Sequence, residues 1–328
     1  MIDYKTLLNI LLVIVIIIGG FFGYFYLKQE PPAAADAGLP VNVDGPPDFK
    51  YNLGDLAKLK GKLSKPLAVD VDDKGRVFVA DTGNGAIKVY GPGGRFMYEF
   101  SRSKNKNQIG GSAGLAVHGD RVYVTDGSNF RVQMYSADGK FIKTFVAQNA
   151  DKKVGAMIPV GIDVSEKGDV YITDVFYQRV LVFDQNGKFK FQFGTPGSKP
   201  GQFQYANDIV VDKKGNIYVA DSNNARVQVF DPKGKFLSVL GSKDGVNPQF
   251  GLARGIDVDD SGRVYVVDTF QHKIRVFESI KKGGLQMFSF ADRGTDNGQL
   301  YYPNGLAVKK GKVYVTDREN DRVVVYGY

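Results

Sequence analysis

The chain contains no cysteine, which excludes disulfides, thiolate metal sites and covalent haem attachment and is compatible with an oxidising or a reducing compartment. Histidine is nearly as scarce, with His118 and His272 the two in 328 residues. A zinc site built on imidazoles needs several of them converging on one point. These two fall at a strand exit and in a loop of different repeats, so no shared metal site is expected. No nucleophile elbow, P-loop or dinucleotide-binding glycine pattern occurs. Neither sign of charge dominates: 43 Lys and Arg against 35 Asp and Glu leave +8, a modest bias toward anionic partners. What is present is a 43% hydrophobic chain with 23 Phe, 18 Tyr and 40 Gly, enough for a large core and weighted toward strands and turns.

One long apolar run stands apart. "LLNILLVIVIIIGGFFGYFYL", Leu7 to Leu27, carries no charge. As a helix it would span about 31 Å, one hydrocarbon core. The spacing predicts an uncleaved N-terminal anchor over residues 1–28 with its transmembrane helix at 7–27. The rival is a cleaved signal peptide ending near Ala33 to Ala35, against which stand the length of the run and the aromatic end at Tyr24 to Tyr26. Lys5 precedes the span, while Lys28 is answered by Glu30, Asp36, Asp44 and Asp48 after it. That bias keeps the N-terminus inside and places the rest in the periplasm or outside the cell, on a single-pass protein of the cytoplasmic membrane. Residues 29–48, rich in Pro and Ala, are expected to form an extended tether.

Beyond the tether the chain repeats itself. An aspartate closes a V-x-V-x-D strand at Asp81, Asp126, Asp174, Asp221, Asp268 and Asp317, at intervals of 45, 48, 47, 47 and 49. Each unit holds four short alternating strands joined by Gly turns, the pattern of a propeller blade. The last unit stops after its third strand, and "FKYNLG" just past the tether supplies Phe49 and Leu53 in the register of the missing fourth. The expectation is an all-β, six-bladed β-propeller over residues 49–328, closed by an N-terminal strand.

"VADSNNARVQVFDPKGKF" (Val219 to Phe236), preceded by "PGQFQYANDIVVD" (Pro200 to Asp212), resembles the NHL repeat. The resemblance covers nearly everything after the tether. It implies a six-bladed propeller that binds proteins or RNA, including extracytoplasmic sensor domains of bacterial membrane proteins; a few propellers of similar architecture are enzymes.

Residues common to all units belong to the scaffold. The six aspartates recur in every blade, whereas one active site needs asymmetry, so they are read as structural acceptors paired with a cation five residues on: Arg131, Arg179, Arg226, Lys273 and Arg322, with Ala86 the exception. Phe203 and Phe250, of the Gly-Gln-Phe segments, are read as plugs between blades. What remains is an aromatic set on the face carrying the loops between second and third strands: Phe130, Phe176, Tyr177, Phe270 and His272, with Tyr205 and Tyr302 from the connections between blades. Aromatics gathered on one face suit a protein or peptide partner.

A second asymmetry lies at the mouth of the central channel, where alignment gives Lys65, Ala113, Val160, Asn207, Arg254 and Asn304. "NDIVVD" and "PNGLAV" are similar to segments of gluconolactonase-type propellers, a resemblance that implies an Asn helping to bind calcium. Arg254 between the two asparagines and Lys65 beside them oppose a divalent ion and favour a small anionic ligand instead. No cofactor, metal or catalytic residue is therefore expected, and the predicted role is a non-catalytic binding or scaffolding domain. The alternatives are a lactonase- or lyase-like enzyme with its site at the channel mouth, and an RNA-binding domain. Against nucleic acid, many lysines sit in hairpin turns, where they serve solubility.

Overall fold

A computed structural model describes residues 45–54, 61–100, 114–242 and 247–328 of the chain. The predicted anchor helix and most of the tether lie outside these residues. Among the described residues no helix is long and apolar enough to cross a membrane.

Six four-stranded antiparallel sheets follow one another, as the repeat predicts. Their innermost strands are Pro66–Val71, Leu115–His118, Pro159–Val164, Ala206–Val211, Ala253–Val258 and Pro303–Lys309, and each packs against the next around a closed ring. The sixth blade takes its outer strand from the other end of the sequence. Asp48–Leu53 pairs antiparallel with Arg322–Gly327, with Phe49 opposite Tyr326 and Leu53 opposite Val323. The core lies in the seams between blades: Ala116, Tyr123 and Met134 of blade two pack with Ile162, Ile172 and Leu181 of blade three, and every seam repeats this pattern.

Crowding at the axis explains a glycine that turn chemistry does not. Gly255 sits where a Cβ would lie 2.6 Å from the Asn304 carbonyl oxygen and 2.8 Å from the Leu306 nitrogen, so a side chain there would push two inner strands apart. Blade four has Asp208 at the equivalent position, and its Oδ2 accepts from the Ile256 backbone N–H of blade five at 3.1 Å. The hairpin glycines do have the positive φ expected of them, as at Gly75 (78°) and Gly262 (86°).

All six strand-ending aspartates are fully buried at 0% exposure. In five of them Oδ1 accepts a backbone N–H from the incoming connection: Ser64 to Asp81 (2.6 Å), Ile158 to Asp174 (2.9 Å), Gln204 to Asp221 (2.8 Å), Leu252 to Asp268 (3.1 Å) and Tyr301 to Asp317 (2.6 Å). Their Oδ2 atoms take a cation. Arg131, Arg179, Arg226 and Arg322 fill that role at 2.8 to 2.9 Å, as expected.

The expected pairing fails in blade five. Lys273 lies 3.8 Å from Asp292, and Arg275 approaches Asp268 at 3.6 Å. Blade one makes the same substitution, with Lys88 2.6 Å from Asp81. Side chains two apart on a strand share a face, so a cation seven residues after the aspartate can replace one five residues after it.

Leu53, at 1% exposure, joins the seam of Leu63, Val323 and Val325. Leu53→Ala should cost about 2–5 kcal/mol in urea unfolding monitored by circular dichroism, the loss expected for a buried leucine. A negligible loss would mean that the N-terminal strand does not close the ring in solution.

Candidate functional site

The inner strands enclose a channel with a cavity of about 110 Å³. Along each inner strand, residues near the incoming connection line one end, the mouth, and residues near the first hairpin line the other. Asn207, Arg254 and Asn304 occupy equivalent places on consecutive blades and line the same cavity, as the alignment predicted. Lys65 does not share that place. The pairing of Val69 with Val79, like that of Leu306 with Val315, puts Leu67 in register with Asn304. Lys65 lies two residues earlier at φ 47°, in the connection itself. Its Nζ donates to Glu319 Oε2 at 2.9 Å and its backbone N–H to Asp321 Oδ1 at 2.8 Å. Ala113 is outside the described residues.

At the mouth Arg254 is held below its usual pKa by burial, with the Tyr205 phenol and the Arg318 guanidinium also acting on it. Arg318 forms an ion pair with Glu319. Neither residue stood out in the sequence, because the loop "DRENDR" follows the same pattern as its counterparts.

Deeper in the channel is a feature that sequence reasoning missed. Asp70, Asp163 and Asp257 occupy one position on blades one, three and five, and blades two, four and six have Ala116, Val210 and Ala307 there. Each aspartate spans two blades. Its Oδ1 accepts from the next residue of its own strand, and its Oδ2 accepts from the following blade at Val117 (2.6 Å), Val211 (2.7 Å) or Val308 (2.6 Å). The visible signal was the V-D-V, I-D-V and I-D-V of alternate inner strands, set against L-A-V, I-V-V and L-A-V in the others.

Burial pushes these carboxyls up, Asp70 to about 6, Asp208 to about 7 and Asp163 to about 8, against partial relief from their backbone donors. Asp257 rises well above the usual range for the same reason, and the neighbouring channel carboxylates add to it. Among the described residues, no group of three or more His, Asp or Glu side chains is placed to hold a metal ion.

The aromatic set divides in two. In blade three Phe176 and Tyr177 meet edge to face at 4.7 Å, and the Arg179 guanidinium lies 4.8 Å from the Tyr177 ring centre. Tyr177 is 48% exposed. At the seam of blades five and six, Phe270 packs on Tyr302 at 6.4 Å, and His272 stacks on Tyr301 at 5.5 Å.

His272 does not present its ring to the surface. It is 6% exposed, its Nδ1 accepts the Tyr302 backbone N–H at 3.0 Å, and burial lowers its pKa to about 4. Phe130 and Tyr205 are half-buried at left-handed φ values of 56° and 62°. Phe203 and Phe250, at 0% and 3%, are the expected plugs. His118 acts on Asp73 at the hairpin end, so the two histidines are at opposite ends of the ring.

The NHL repeat family matches residues 63–90, 203–230 and 300–326, each stretch running from a connection into the third strand of blades one, four and six. The propeller carries NHL repeats. The chain is similar to the protein brain tumor of Drosophila melanogaster, with 28% identity over 150 residues, 44% of this chain and 14% of that protein. It thus spans a small part of that relative's length.

Among solved structures, virginiamycin B lyase from Staphylococcus aureus with quinupristin gives a TM-score of 0.57 at 16% identity, covering 85% of this chain and 89% of that one. A chain of the nidogen/laminin complex gives 0.56 at 16% identity over 74% and 85%. An auxiliary nutrient binding protein from Bacteroides thetaiotaomicron gives 0.60 at 13% identity over 81% and 69%. At such identities the likeness is one of fold.

The channel carboxyls make the NHL propeller's stability depend on pH. Their pKa values are raised above the unfolded value of 3.8, so the folded state binds more protons and loses stability as pH rises through about 7 to 8. Below about pH 6.5 the lowered His272 acts with the opposite sign. The melting temperature should therefore fall by a few degrees from about pH 6.5 to about pH 8.5. Asp163→Asn should flatten that slope whatever it does to the absolute value; an unchanged slope would show that Asp163 is ionised at neutral pH.

Proposed function

We propose that this NHL propeller is a recognition or scaffolding domain that holds a protein or peptide on the face formed by the loops between second and third strands and the connections between blades. The observation that carries the proposal is the exposed Tyr177, fixed by Phe176 and Arg179, on the same face as the Phe270 and Tyr302 pair. Rigid aromatics beside an arginine are the composition of binding hot spots. A buried His272 supports the reading indirectly, since it gives Tyr302 a fixed backbone and a packed edge.

In this proposal residues 1–28 anchor the protein in the cytoplasmic membrane, residues 29–48 are the tether, and residues 49–328 form the domain in the periplasm or outside the cell. The register bears on which face of the domain stays free. Asp48 pairs with Gly327, at the hairpin end of blade six and away from the loop at Asp321. A chain entering at Asp48 therefore leaves the opposite face open. The hairpin face suits nucleic acid less well, because its turn lysines are partly neutralised: Lys213 pairs with Asp260 at 2.7 Å and Lys309 with Asp73 at 2.9 Å.

The test is capture of the partner by the full chain crosslinked in native membranes. Tyr177→Ala combined with Phe270→Ala should lower capture at least about tenfold, as expected for two anchors each worth about 1–2 kcal/mol or more. Unchanged capture by a folded double variant would place the contact elsewhere. Protease added to intact cells should cleave the domain if it faces outward, and protection would reverse the orientation.

A further inference from the structure

Every outer strand carries the same irregularity. In each of the six blades the pairing of the third strand with the fourth skips one residue, and the skipped residue is Lys50, Met97, Ile142, Lys190, Leu237 or Met287. A bulge of this kind re-aims a side chain and keeps an edge strand from pairing with another chain. Lysine is the residue that edge protection calls for, and Lys50 and Lys190 fit that role. Three of the others do not. Met97, Ile142 and Leu237 are 50%, 43% and 47% exposed, and Phe141 beside Ile142 is exposed as well. Bare apolar side chains on a sheet edge invite association, so edge protection does not account for them.

Each of the three follows an exposed cation and an aromatic: Arg95-Phe96-Met97, Lys140-Phe141-Ile142 and Lys235-Phe236-Leu237. Blade three writes Lys188-Phe189-Lys190 in the same place. The bulge lies just past the turn that joins the third and fourth strands, at the hairpin end. In blade six it lies two residues from Asp48, where the chain enters. Across residues 91–97, 136–142, 184–190 and 231–237 six Lys and Arg stand against three Asp, and Lys190 is also answered by Asp169 at 2.6 Å. Six cations against four carboxylates leave a positive rim studded with apolar side chains.

We propose that this rim rests on an anionic lipid surface, with Met97, Ile142 and Leu237 entering the interface and the neighbouring cations meeting lipid phosphates. The inference rests on the membrane-anchor reading above and adds the pose in which the domain is held.

A lipid surface is the occupant that uses both halves of the pattern. Phosphates attract the cations and the acyl boundary receives the apolar side chains, the combination found on interfacial segments. A nucleic acid would use only the cations. A compact protein would cover one or two neighbouring blades, whereas the pattern recurs on blades one, two and four, as contact with a plane requires. Depth agrees: a residue two positions past the turn lies about 7 Å from it, within the roughly 5–10 Å that interfacial side chains reach. The tether supplies the encounter and not the pose, since residues 29–48 fully extended would reach roughly 65 Å. Confined so near the bilayer, the domain needs only weak contacts to settle on it.

The absence of cysteine allows one spin label to be placed at a time. Full-length protein carrying Met97→Cys, Ile142→Cys or Leu237→Cys is reconstituted in nanodiscs of phosphatidylcholine with or without phosphatidylglycerol. Asn223→Cys, at an exposed site in a loop of the opposite face, is the reference. With phosphatidylglycerol the ratio of oxygen to nickel-chelate accessibility at the rim should exceed that at Asn223 by about threefold or more, as for side chains at the acyl boundary. The excess should shrink in neutral discs, and in anionic discs when Lys140→Glu and Lys235→Glu are combined.

Rim ratios equal to that of Asn223 in anionic discs, or protection indifferent to lipid charge, would overturn the proposal. So would dipolar broadening that vanishes on dilution with unlabelled chain, because a second copy would then be covering the rim. The anchor is read separately, by alkaline carbonate extraction from vesicles of the same lipids. Release of the chain with rim protection intact would refute the anchor alone, and retention with water-exposed rim labels would refute the rim alone.

Discussion

A carboxylate taken out of water has to be satisfied on every side, and each blade is organised around one that is. Five of the strand-ending aspartates, Asp81, Asp174, Asp221, Asp268 and Asp317, bring three pieces of chain to a point: the strand they close, the connection arriving from the previous blade, and the cation of the third strand. Removing one partner from such a group costs far more than the intact arrangement contributes. The backbone of the loop face is therefore fixed wherever an aspartate holds it, and the side chains between the fixed points are free to differ. Phe176 and Tyr177 stand two and three residues after Asp174, and Phe270 stands two residues after Asp268. The varied residues are displayed beside backbone that a buried aspartate holds.

The repeat made the blade count and the closing strand legible, because a period near 47 residues and an aromatic spacing are properties of the chain itself. Pairing within a blade was legible to the extent that spacing determines it, so Arg179 and Arg226 could be assigned to their aspartates. Arg275 could not, since a strand offers two positions on one face and only packing decides which is used. Lys65 failed for a related reason. The apolar pattern of the inner strands leaves an ambiguity of two residues, which the hydrogen-bonded register with Val77–Asp81 removes. His272 looked like a surface ring because sequence cannot show that Tyr301 and Tyr302, 30 residues later, enclose it.

The channel follows from the same close packing. Inner strands that touch backbone to backbone leave little room at the axis, and what faces it differs along its length: a guanidinium and amides at the mouth, then carboxyls that span alternate blades. The odd blades supply the spanning carboxyl and the even blades supply its N–H donor, so the ring has a threefold alternation beneath its sixfold form. Burial, with a smaller addition from neighbouring carboxyls, raises the proton affinity of these groups, so the axis responds to acidity.

The closing strand has one further consequence, a mechanical one. Asp48–Leu53 runs from the hairpin end to the loop end beside Arg322–Gly327. Tension between Asp48 and a body gripping the loop face would therefore pull along the strand. Its hydrogen bonds would be sheared together instead of unzipped one at a time, and the first and last segments of the domain would share the strain.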